Sequence, residues 1–381
     1  MKKSYIFTPG PSPVPPEVGI AQVKMVHHRS PDFGEYLDRV LNGLKYVYQT
    51  ENDVIMFTSS GTGAMEGAIA NCFSAGDKVI AFAGGKFGER LVEISNCFGL
   101  NCIAIEYEWG ENADPAALEK ALEENPDTRG VFLTQSETST GVVNDVEAFA
   151  RIVARTDALF LVDAISGLGA VDLKTDEWGV DLVVGGSQKA LMIPPGLAFV
   201  AVSKKAWKAV DTATLPRYYF CFKAAKASQS KTPLETPYTP AITLIQALDV
   251  AMSMIKDEGL ENVFARHELF ARATQAAVEA LGLEFVATDR SRAFVTTSVW
   301  APEGIKGGDI VKAMRNDFGM FIAGGQGKLK GKIFRLGHVG YFDRFDITSQ
   351  LAGLELALKK LGYPVEIGAG VTAALKVLAG E

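Results

Sequence analysis

The chain has 381 residues, enough for one large domain and one smaller one. Hydrophobic residues make up 48% of it and charged residues 22%, which is typical of a globular protein with a substantial core. The net charge of −7, without any stretch rich in Lys or Arg, argues against nucleic acid or a membrane as a partner. No signal peptide and no membrane span are predicted, and four cysteines without a C-x-x-C pair predict reduced thiols in the cytoplasm.

The first twenty residues contain five prolines and are expected to form an extended arm without a helix or a central strand. After them, short apolar runs that are typical of strands alternate with helical patterns. The strand-like runs are DVIMFTS, DKVIAFA, NCIAIEY, RGVFLTQ, DALFLVDAI and DLVVGGS. In the helix after the third run, Asp114 is expected to be the cap and Pro115 the first residue. Apolar strands separated by helices predict a large, doubly wound α/β domain with a mostly parallel sheet that is buried on both faces.

The pattern changes after about residue 255. A helical stretch, DEGLENVFARHELFARATQAAVEALG, precedes two strand-like segments, LEFVAT and AFVTTSVWA. A helix in GGDIVKAMRNDFG, a strand in KIFRLGHVG and a helix in ITSQLAGLELALKKLG follow. This mixture predicts a smaller C-terminal α+β domain. The expected division is therefore an arm at 1–20, a large domain at 21–255 and a small domain at 256–381.

Lys189 is the first candidate for chemistry. It lies just past an apolar strand in GGSQKALMIPPG, among small and apolar residues. Lysines usually lie on solvated faces, and that would be the better interpretation of Lys189 taken alone. At the end of a buried strand, however, its amine would be partly desolvated, could lose its proton and could form a Schiff base.

Asp163 ends the apolar run LFLVD, 26 residues before Lys189. A carboxylate at this position would be buried and would need a partner. One interpretation is a cap for the following turn, which is a common use of Asp. The functional interpretation is that Asp163 keeps the pyridine nitrogen of pyridoxal 5′-phosphate (PLP) protonated, so that the ring can act as an electron sink.

Two further motifs point to anions. SSGTGAMEG lies between a strand and a helix, where the N–H groups of Thr62, Gly63 and Ala64 would form a phosphate site. Its glycine spacing fits neither a dinucleotide site nor a P-loop. Arg335, between Phe334 and Leu336, needs an anionic partner, which could be an internal carboxylate or the carboxylate of a substrate.

The motifs SGTGAMEG, KFGER, ETSTG, LVDAISGLG, GSQKALMIPPG and RLGHVG, in this order, resemble those of the class V aminotransferases. The closest similarity is to the serine–pyruvate/alanine–glyoxylate branch of the fold-type I PLP enzymes, and it runs from TPGPSPVPPEV to the last helix. The resemblance implies a homodimer with shared active sites. It also implies ping-pong transfer of an amino group from a small amino acid, such as alanine or serine, to a 2-oxo acid, such as glyoxylate or pyruvate.

The resemblance assigns roles to individual residues. Lys189 would be the Schiff-base lysine, Asp163 the partner of the pyridinium nitrogen, and Arg335 the ligand of the substrate α-carboxylate. The residues that would hold the cofactor phosphate are Gln188, Thr62, Gly63 and Ala64.

Four more positions complete the site that the resemblance implies. Phe87 in KFGER would stack on the cofactor ring, where the family usually has Trp. Thr138 in ETSTG would lie near the ring oxygen. In the TPYTP segment, Tyr238 and Thr239 would reach the phosphate of the neighbouring subunit, so that neither subunit alone has a complete site.

Other functions stay open at this point. An aminoethylphosphonate transaminase shares most of the motifs. A cysteine desulfurase or lyase would carry His over the ring and a catalytic Cys in the last third, whereas this chain has Phe87 and ends its cysteines at Cys221. A nicotinamide-dependent dehydrogenase or a binding protein would leave Lys189 and Asp163 without a role.

No metal is predicted, because the four histidines show no ligand spacing. The identity of the amino donor is not predicted either. A dicarboxylic donor would need a second cation in the pocket, and Arg29 and Arg90 are the candidates.

Overall fold

The predicted alternation of strands and helices is present in the computed structural model, which describes residues 3–381. The strands are β1 (Tyr5–Ile6), β2 (Asp53–Thr58), β3 (Lys78–Ala83), β4 (Asn101–Glu106), β5 (Gly130–Thr134), β6 (Ser136–Glu137), β7 (Val142–Val143), β8 (Leu159–Asp163), β9 (Leu182–Gly186), β10 (Leu197–Val202), β11 (Thr296–Trp300), β12 (Met320–Phe321), β13 (Ala323–Gly324) and β14 (Ile333–Gly337). The helices are α1 (Pro16–Ile20), α2 (Pro31–Tyr48), α3 (Gly61–Cys72), α4 (Lys86–Cys97), α5 (Pro115–Glu124), α6 (Val146–Val153), α7 (Thr175–Trp178), α8 (Lys204–Thr212), α9 (Phe222–Gln229), α10 (Ile242–Glu258), α11 (Leu260–Ala280), α12 (Gly307–Phe318), α13 (Arg344–Lys360) and α14 (Ala369–Ala379).

A seven-stranded sheet with the order β2-β10-β9-β8-β5-β3-β4 forms the centre of the large part. Its strands run parallel except β10, which is antiparallel to both of its neighbours. Apolar side chains of α2, α5, α6 and α10 pack on one face, and those of α3, α8 and α9 pack on the other. The predicted α/β fold with a buried, mostly parallel sheet is therefore confirmed.

Local signals account for the start of α5. The side chain of Asp114 accepts a hydrogen bond from the Ala116 N–H (2.9 Å), and Pro115 is the first helical residue. Proline suits this position because its missing N–H would have no partner in the first turn of a helix. Both features agree with the prediction from the sequence.

The C-terminal part has its own core and its own sheet. Strands β11, β14 and β13 form an antiparallel sheet against α11, α12, α13 and α14. Leu260 and Val263, at the start of α11, pack in the core of the large part, and the helix packs in the C-terminal core from Phe270 onwards. The long helix α11 therefore connects the two cores, and the division at residue 255 stays a prediction.

Two local predictions are wrong. LEFVAT is not a strand, since only one isolated bridge, Phe285 to Val299, joins it to β11. The arm is not free of helix, because α1 follows Pro15. Its first residue is Pro16, whose fixed φ suits the first position of a helix. Pro16 therefore begins a helix rather than preventing one.

The beginning of the arm belongs to the C-terminal part. Strand β1 pairs in parallel with β12, and the side chain of Phe7 is buried in the C-terminal core. Residues 8–12 then continue to the carboxyl edge of the large sheet. Within residues 3–381, no helix combines the length and the apolar character needed to cross a membrane.

Candidate active site

A cavity of about 150 Å³ lies at the carboxyl ends of β8 and β9, beside the N termini of α3 and α4. Parallel α/β sheets bind ligands outside this edge, where the strands end and the helices begin. The residues that line the cavity are Ser60, Gly61, Thr62, Phe87, Arg90, Ser136, Asp163, Ile165, Ser166, Gln188 and Lys189. Five of the residues that the sequence predicts for the site therefore meet here: Lys189, Asp163, Gln188, Thr62 and Phe87.

Lys189 lies three residues after β9, and only 8% of its surface is exposed. Its Nζ donates a hydrogen bond to the Pro9 carbonyl oxygen (2.6 Å). Burial, together with the positive charge of Arg335, lowers the pKa of Lys189 to about 8. At pH 7 about a tenth of this amine would then be neutral, far more than for a lysine at its ordinary pKa.

The arm fits closely over this lysine at Gly10. Its φ is +123°, and a Cβ at this position would lie 2.4 Å from the Lys189 Nζ. Only glycine combines this backbone conformation with room for the lysine side chain. The hydroxyl of Ser12 also donates to the Lys189 carbonyl oxygen (2.7 Å), which fixes the backbone of the lysine to the arm.

Asp163 is the last residue of β8 and is almost completely buried. One carboxylate oxygen, Oδ1, accepts a hydrogen bond from the Ile165 N–H (2.9 Å). The other has no hydrogen-bond donor within residues 3–381, although the side chain lines the cavity. Burial raises the pKa of Asp163 to about 7. The two interpretations of this residue are therefore compatible, because one oxygen caps a turn and the other is free for a ligand.

The N terminus of α3 provides unpaired amide donors. Ser60 precedes the helix without capping it through its side chain, and the N–H groups of Gly61 and Thr62 have no acceptor within residues 3–381. The N–H of Gly63 donates to the Ser60 carbonyl oxygen (2.9 Å), and Ala64 is fully buried within the helix. The sequence therefore indicated the correct turn, but the residues that line the cavity lie up to two positions earlier.

Ser136, directly before the ETSTG turn, contributes the hydroxyl group that was predicted for Thr138. Thr138 is buried and absent from the cavity lining; its carbonyl oxygen accepts a hydrogen bond from the Arg335 Nη1 (2.8 Å). Ser136 lines the cavity, and its buried Oγ has no hydrogen-bond partner within residues 3–381. Thr138 thus supports Arg335 through its backbone, and Ser136 presents the hydroxyl to the site.

Glu137 is a further buried residue, and the sequence did not predict it. One of its oxygens, Oε2, accepts hydrogen bonds from the N–H groups of Phe87 (2.9 Å) and Gly88 (3.0 Å), in the first turn of α4. The other, Oε1, accepts from the Ser139 N–H (3.1 Å) and hydroxyl (2.6 Å). Glu137 therefore fixes the helix turn that carries Phe87. An acidic residue two positions after the apolar run RGVFLTQ was the available signal.

Arg335 lies on β14, is 6% exposed and is not among the residues that line the cavity, although its positive charge lowers the pKa of Lys189. Its Nε donates to the Gly324 carbonyl oxygen (2.9 Å) and its Nη1 to that of Thr138. No carboxylate pairs with it within residues 3–381, and its Nη2 has no hydrogen-bond partner there. Burial lowers its pKa to about 10, so it stays cationic at neutral pH. Arg335 therefore does not form the internal salt bridge that the sequence left open as an alternative.

The two candidates for a second cation lie in different environments. Arg29 forms an ion pair with Glu235 (2.8 Å). Arg90 lines the cavity, with its guanidinium carbon 4.9 Å from the centre of the Phe87 ring. The structure therefore brings Arg90, and not Arg29, to the candidate site.

Tyr238 and Thr239 line a separate pocket together with Thr58 and Tyr219. The ring of Tyr238 stacks on that of Tyr219, with 5.3 Å between the ring centres. Tyr218, whose backbone carbonyl accepts a hydrogen bond from the Tyr238 hydroxyl, is 80% exposed. These residues therefore lie apart from the cavity of their own chain.

This chain is similar in sequence to a known protein family and to individual proteins. The sequence model of the family described as aminotransferase class-V matches residues 7–330. A relative from Synechococcus sp., named the small subunit of a soluble hydrogenase, is 43% identical over 99% of this chain and 98% of its own. The L-aspartate–glyoxylate aminotransferase of Paracoccus denitrificans is 39% identical over 97% of this chain and 94% of its own.

A solved structure extends the similarity to three dimensions. The ureidoglycine–glyoxylate aminotransferase of Bacillus subtilis has a TM-score of 0.95 and 30% identity, over 100% of this chain and 99% of its own. No three His, Cys, Asp or Glu side chains in residues 3–381 lie together as a set of metal ligands. The family match over most of the sequence, and relatives that align from end to end, show that this chain belongs to the class-V aminotransferases.

Proposed function

We propose that this aminotransferase binds PLP covalently at Lys189 and transfers an amino group from a small amino acid to a 2-oxo acid such as glyoxylate or pyruvate. One observation carries the proposal: a buried lysine and a buried carboxylate face the same cavity from the ends of neighbouring strands. Their pKa values, about 8 for Lys189 and about 7 for Asp163, lie close to neutral pH because both groups are buried. Shifted pKa values in one cavity are typical of catalytic sites.

The polar groups of the cavity fit this cofactor. The buried Oγ of Ser136 lacks a hydrogen-bond partner within residues 3–381, as does one oxygen of Asp163. A buried carboxylate with a raised pKa is stabilised by a cationic donor, which a protonated ring nitrogen supplies. The free N–H groups of Gly61 and Thr62 suit a phosphate group. Each part of PLP therefore finds a group of matching chemistry.

When bound, PLP supplies an electron sink that stabilises charge at the substrate Cα. The chain provides the remaining functions. Asp163 would hold a proton on the ring nitrogen, and the Nζ of Lys189 would take the proton from the substrate Cα and deliver it to the cofactor carbon that carried the aldehyde. The side chain of Phe87 would lie against the ring, with its helix turn held by Glu137. Ser136, rather than Thr138, would donate to the ring oxygen.

For the phosphate we assign Ser60, Gly61, Thr62 and Gln188 in place of Gly63 and Ala64, whose N–H groups face the helix. Arg335 would bind the substrate α-carboxylate through its free Nη2, together with the positive charge of the group. The two aminotransferases compared above share glyoxylate in their names but differ in the donor, which supports glyoxylate as acceptor more strongly than any one donor.

A homodimer is part of the proposal. Tyr218 and Tyr219 are exposed in the single chain and stack with the half-buried Tyr238, and interfaces are enriched in tyrosine. Together with Thr239, they would complete the phosphate site of the second subunit. The four free thiols suit the reducing cytoplasm that we propose as the location.

The test combines labelling with turnover. Borohydride reduction of the yellow, PLP-loaded enzyme should fix the cofactor on one peptide, which contains Lys189. A panel of alanine, serine and aspartate against glyoxylate, pyruvate and 2-oxoglutarate should then identify the fastest pair. Labelling of another lysine, or amino transfer from none of the donors, would contradict the proposal.

A further inference from the structure

Arg90 lies on α4, one helical turn after Phe87, and lines the cavity together with Asp163 and Lys189. Its guanidinium group stacks over the Phe87 ring, with 4.9 Å between the guanidinium carbon and the ring centre. Its Nη1 donates a hydrogen bond to the Thr62 hydroxyl (3.3 Å) at the start of α3. Cation–π stacking holds the flat guanidinium group in one orientation, so its free N–H groups have a defined direction.

No carboxylate pairs with Arg90 within residues 3–381. Other arginines of the chain do have such a partner: Arg39 pairs with Asp249 (2.8 Å) and Arg266 with Glu258 (2.6 Å). The charge of Arg90 nevertheless reaches Asp163, whose pKa it lowers against the larger effect of burial. A half-buried cation inside a cavity, without an anion of its own, indicates that an anionic ligand completes it.

The neighbours of Arg90 indicate which part of the ligand this arginine binds. The hydroxyl group that it contacts belongs to Thr62, and the N–H groups of Gly61 and Thr62 are the unpaired donors at this end of the cavity. Arg335, the cation assigned to a substrate carboxylate, comes from β14 and is held by the carbonyl groups of Gly324 and Thr138. The two arginines therefore serve two different anions.

We infer that Arg90 binds the phosphate group of the cofactor, together with the N–H groups of Gly61 and Thr62. The inference rests on the proposed function and adds a residue to it. Three donors, one of them charged, then converge on the phosphate oxygens from α3 and α4. Phe87 has a double role, since its ring supports both the cofactor and the arginine.

The experiment compares PLP with pyridoxal, which lacks the phosphate. Cofactor-free wild-type protein, Arg90→Met and Arg90→Lys are titrated with each compound, and the dissociation constants are read from absorbance. Loss of a charged hydrogen-bonded contact should weaken PLP binding by about 10- to 100-fold in Arg90→Met and leave pyridoxal binding within about twofold. Arg90→Lys should recover part of the preference for PLP, because it keeps the charge but not the stacked plane.

A second measurement avoids the covalent bond. Inorganic phosphate should raise the thermal midpoint of the cofactor-free wild-type protein and have little effect on Arg90→Met. Arg151→Met is the matched control, because Arg151 lies on the exposed side of α6, paired with Glu147, and should behave like the wild type. If Arg90→Met does not fold, the same two measurements on Arg90→Lys decide.

Three results would overturn the inference. An equal loss for PLP and pyridoxal would assign Arg90 to the ring or to the fold. An unchanged preference for PLP, together with a selective loss of kcat/KM for aspartate against alanine, would assign it to a substrate carboxylate. An unchanged preference for PLP without a selective loss of kcat/KM would show that Arg90 binds neither the phosphate nor a substrate carboxylate. Failure of the wild type to bind PLP would instead contradict the proposed function itself.

Discussion

The helices α3 and α4 both begin at the carboxyl edge of the sheet, but their first turns differ. In α4, Glu137 and Ser139 accept hydrogen bonds from the N–H groups of Lys86, Phe87 and Gly88. In α3, the N–H groups of Gly61 and Thr62 have no acceptor within residues 3–381, and no side chain caps the helix. Backbone donors at a helix start need a partner, whether from the protein or from a ligand.

The difference separates structural groups from ligand-binding groups. At α4 the chain supplies its own carboxylate, so this turn is complete in the folded protein. At α3, and at the free oxygen of Asp163, the chain leaves hydrogen-bonding capacity unused. Substitutions on the complete side should therefore change stability, and substitutions on the incomplete side should change ligand binding and turnover.

The largest effect is expected for Asp163→Asn, on the incomplete side. An amide cannot keep the ring nitrogen protonated, so kcat should fall by about 10²- to 10³-fold while PLP still binds. The cofactor-free protein should become more stable at pH 8, by a few kcal/mol. Burial raises the pKa of Asp163 from its ordinary 3.8 to about 7, so ionisation between these two pH values destabilises the native state, and asparagine does not ionise.

Thermal midpoints of the cofactor-free wild type and Asp163→Asn at pH 5 and pH 8 test the sign of this stability difference. The advantage of the variant should be smaller at pH 5, where Asp163 is ionised mainly in the unfolded state and only part of the pH range from 3.8 to about 7 has been crossed, than at pH 8. A difference that is the same at both pH values, with kcat within a few-fold of the wild type, would make Asp163 a cap only.

Arg335 has both kinds of group. Two of its hydrogen bonds end on protein carbonyl groups, whereas its Nη2 is free for a ligand. For Arg335→Ala we expect kcat/KM with alanine as donor to fall by about 30- to 150-fold, which corresponds to about 2–3 kcal/mol. PLP content should not change. Arg335→Lys should recover only part of the loss, because an ammonium group lacks the planar fork. A lower thermal midpoint with intact kcat/KM per folded molecule would assign Arg335 to the fold alone.

On the complete side, Glu137→Ala should lower the free energy of unfolding by about 2 kcal/mol, because buried N–H groups lose their acceptor. Glu137→Gln keeps one accepting oxygen and should lie between the alanine variant and the wild type. Chemical denaturation of the cofactor-free proteins measures both. Stabilisation by inorganic phosphate should be the same in all three, and its loss in Glu137→Ala would show that the two helix starts are not independent.

The smallest effect concerns the rate of cofactor loading. Burial lowers the pKa of Lys189 to about 8, so the fraction of neutral amine rises about tenfold per pH unit below 8 and levels off above about pH 9. Rapid-mixing absorbance with PLP should follow this curve. The free amino acid derivative Nα-acetyl-lysine is the control, and its rate should still rise beyond pH 10. A rate for the protein that also rises beyond pH 10 would show that the amine is solvated.

Apolar runs separated by helical patterns identified six strands of the main sheet, but not β10. LAFVAV is as apolar as those runs, but no helical pattern separates it from β9, so the alternation of strands and helices did not indicate it. A run of apolar residues also does not indicate whether a strand runs parallel or antiparallel to its neighbours. That β10 runs antiparallel to β9 follows from the short connection between them, which contains no crossover helix.

The site was predicted best where one residue type can perform the chemistry. Lys189 and Asp163 fall into this class, because an amine and a carboxylate at the ends of apolar strands are costly to bury without a ligand or partner. Ser136 and Thr138 carry the same functional group two positions apart, and only the direction of the chain in the turn decides which one faces the cavity. The same holds for Gly61 against Gly63, where the exact start of a helix determines which N–H groups stay unpaired.

The connection that carries Lys189 leaves β9 and returns along β10, its immediate neighbour. Ser187 joins the two ends of this connection. The Ser187 N–H donates to the Leu197 carbonyl oxygen (3.0 Å), and the Ser187 hydroxyl donates to the Pro194 carbonyl oxygen (2.9 Å). The amide proton of Ser187 should then exchange with deuterium only when the sheet itself opens. The lysine would keep its position until global unfolding, so heat inactivation and loss of the fold should occur at the same temperature.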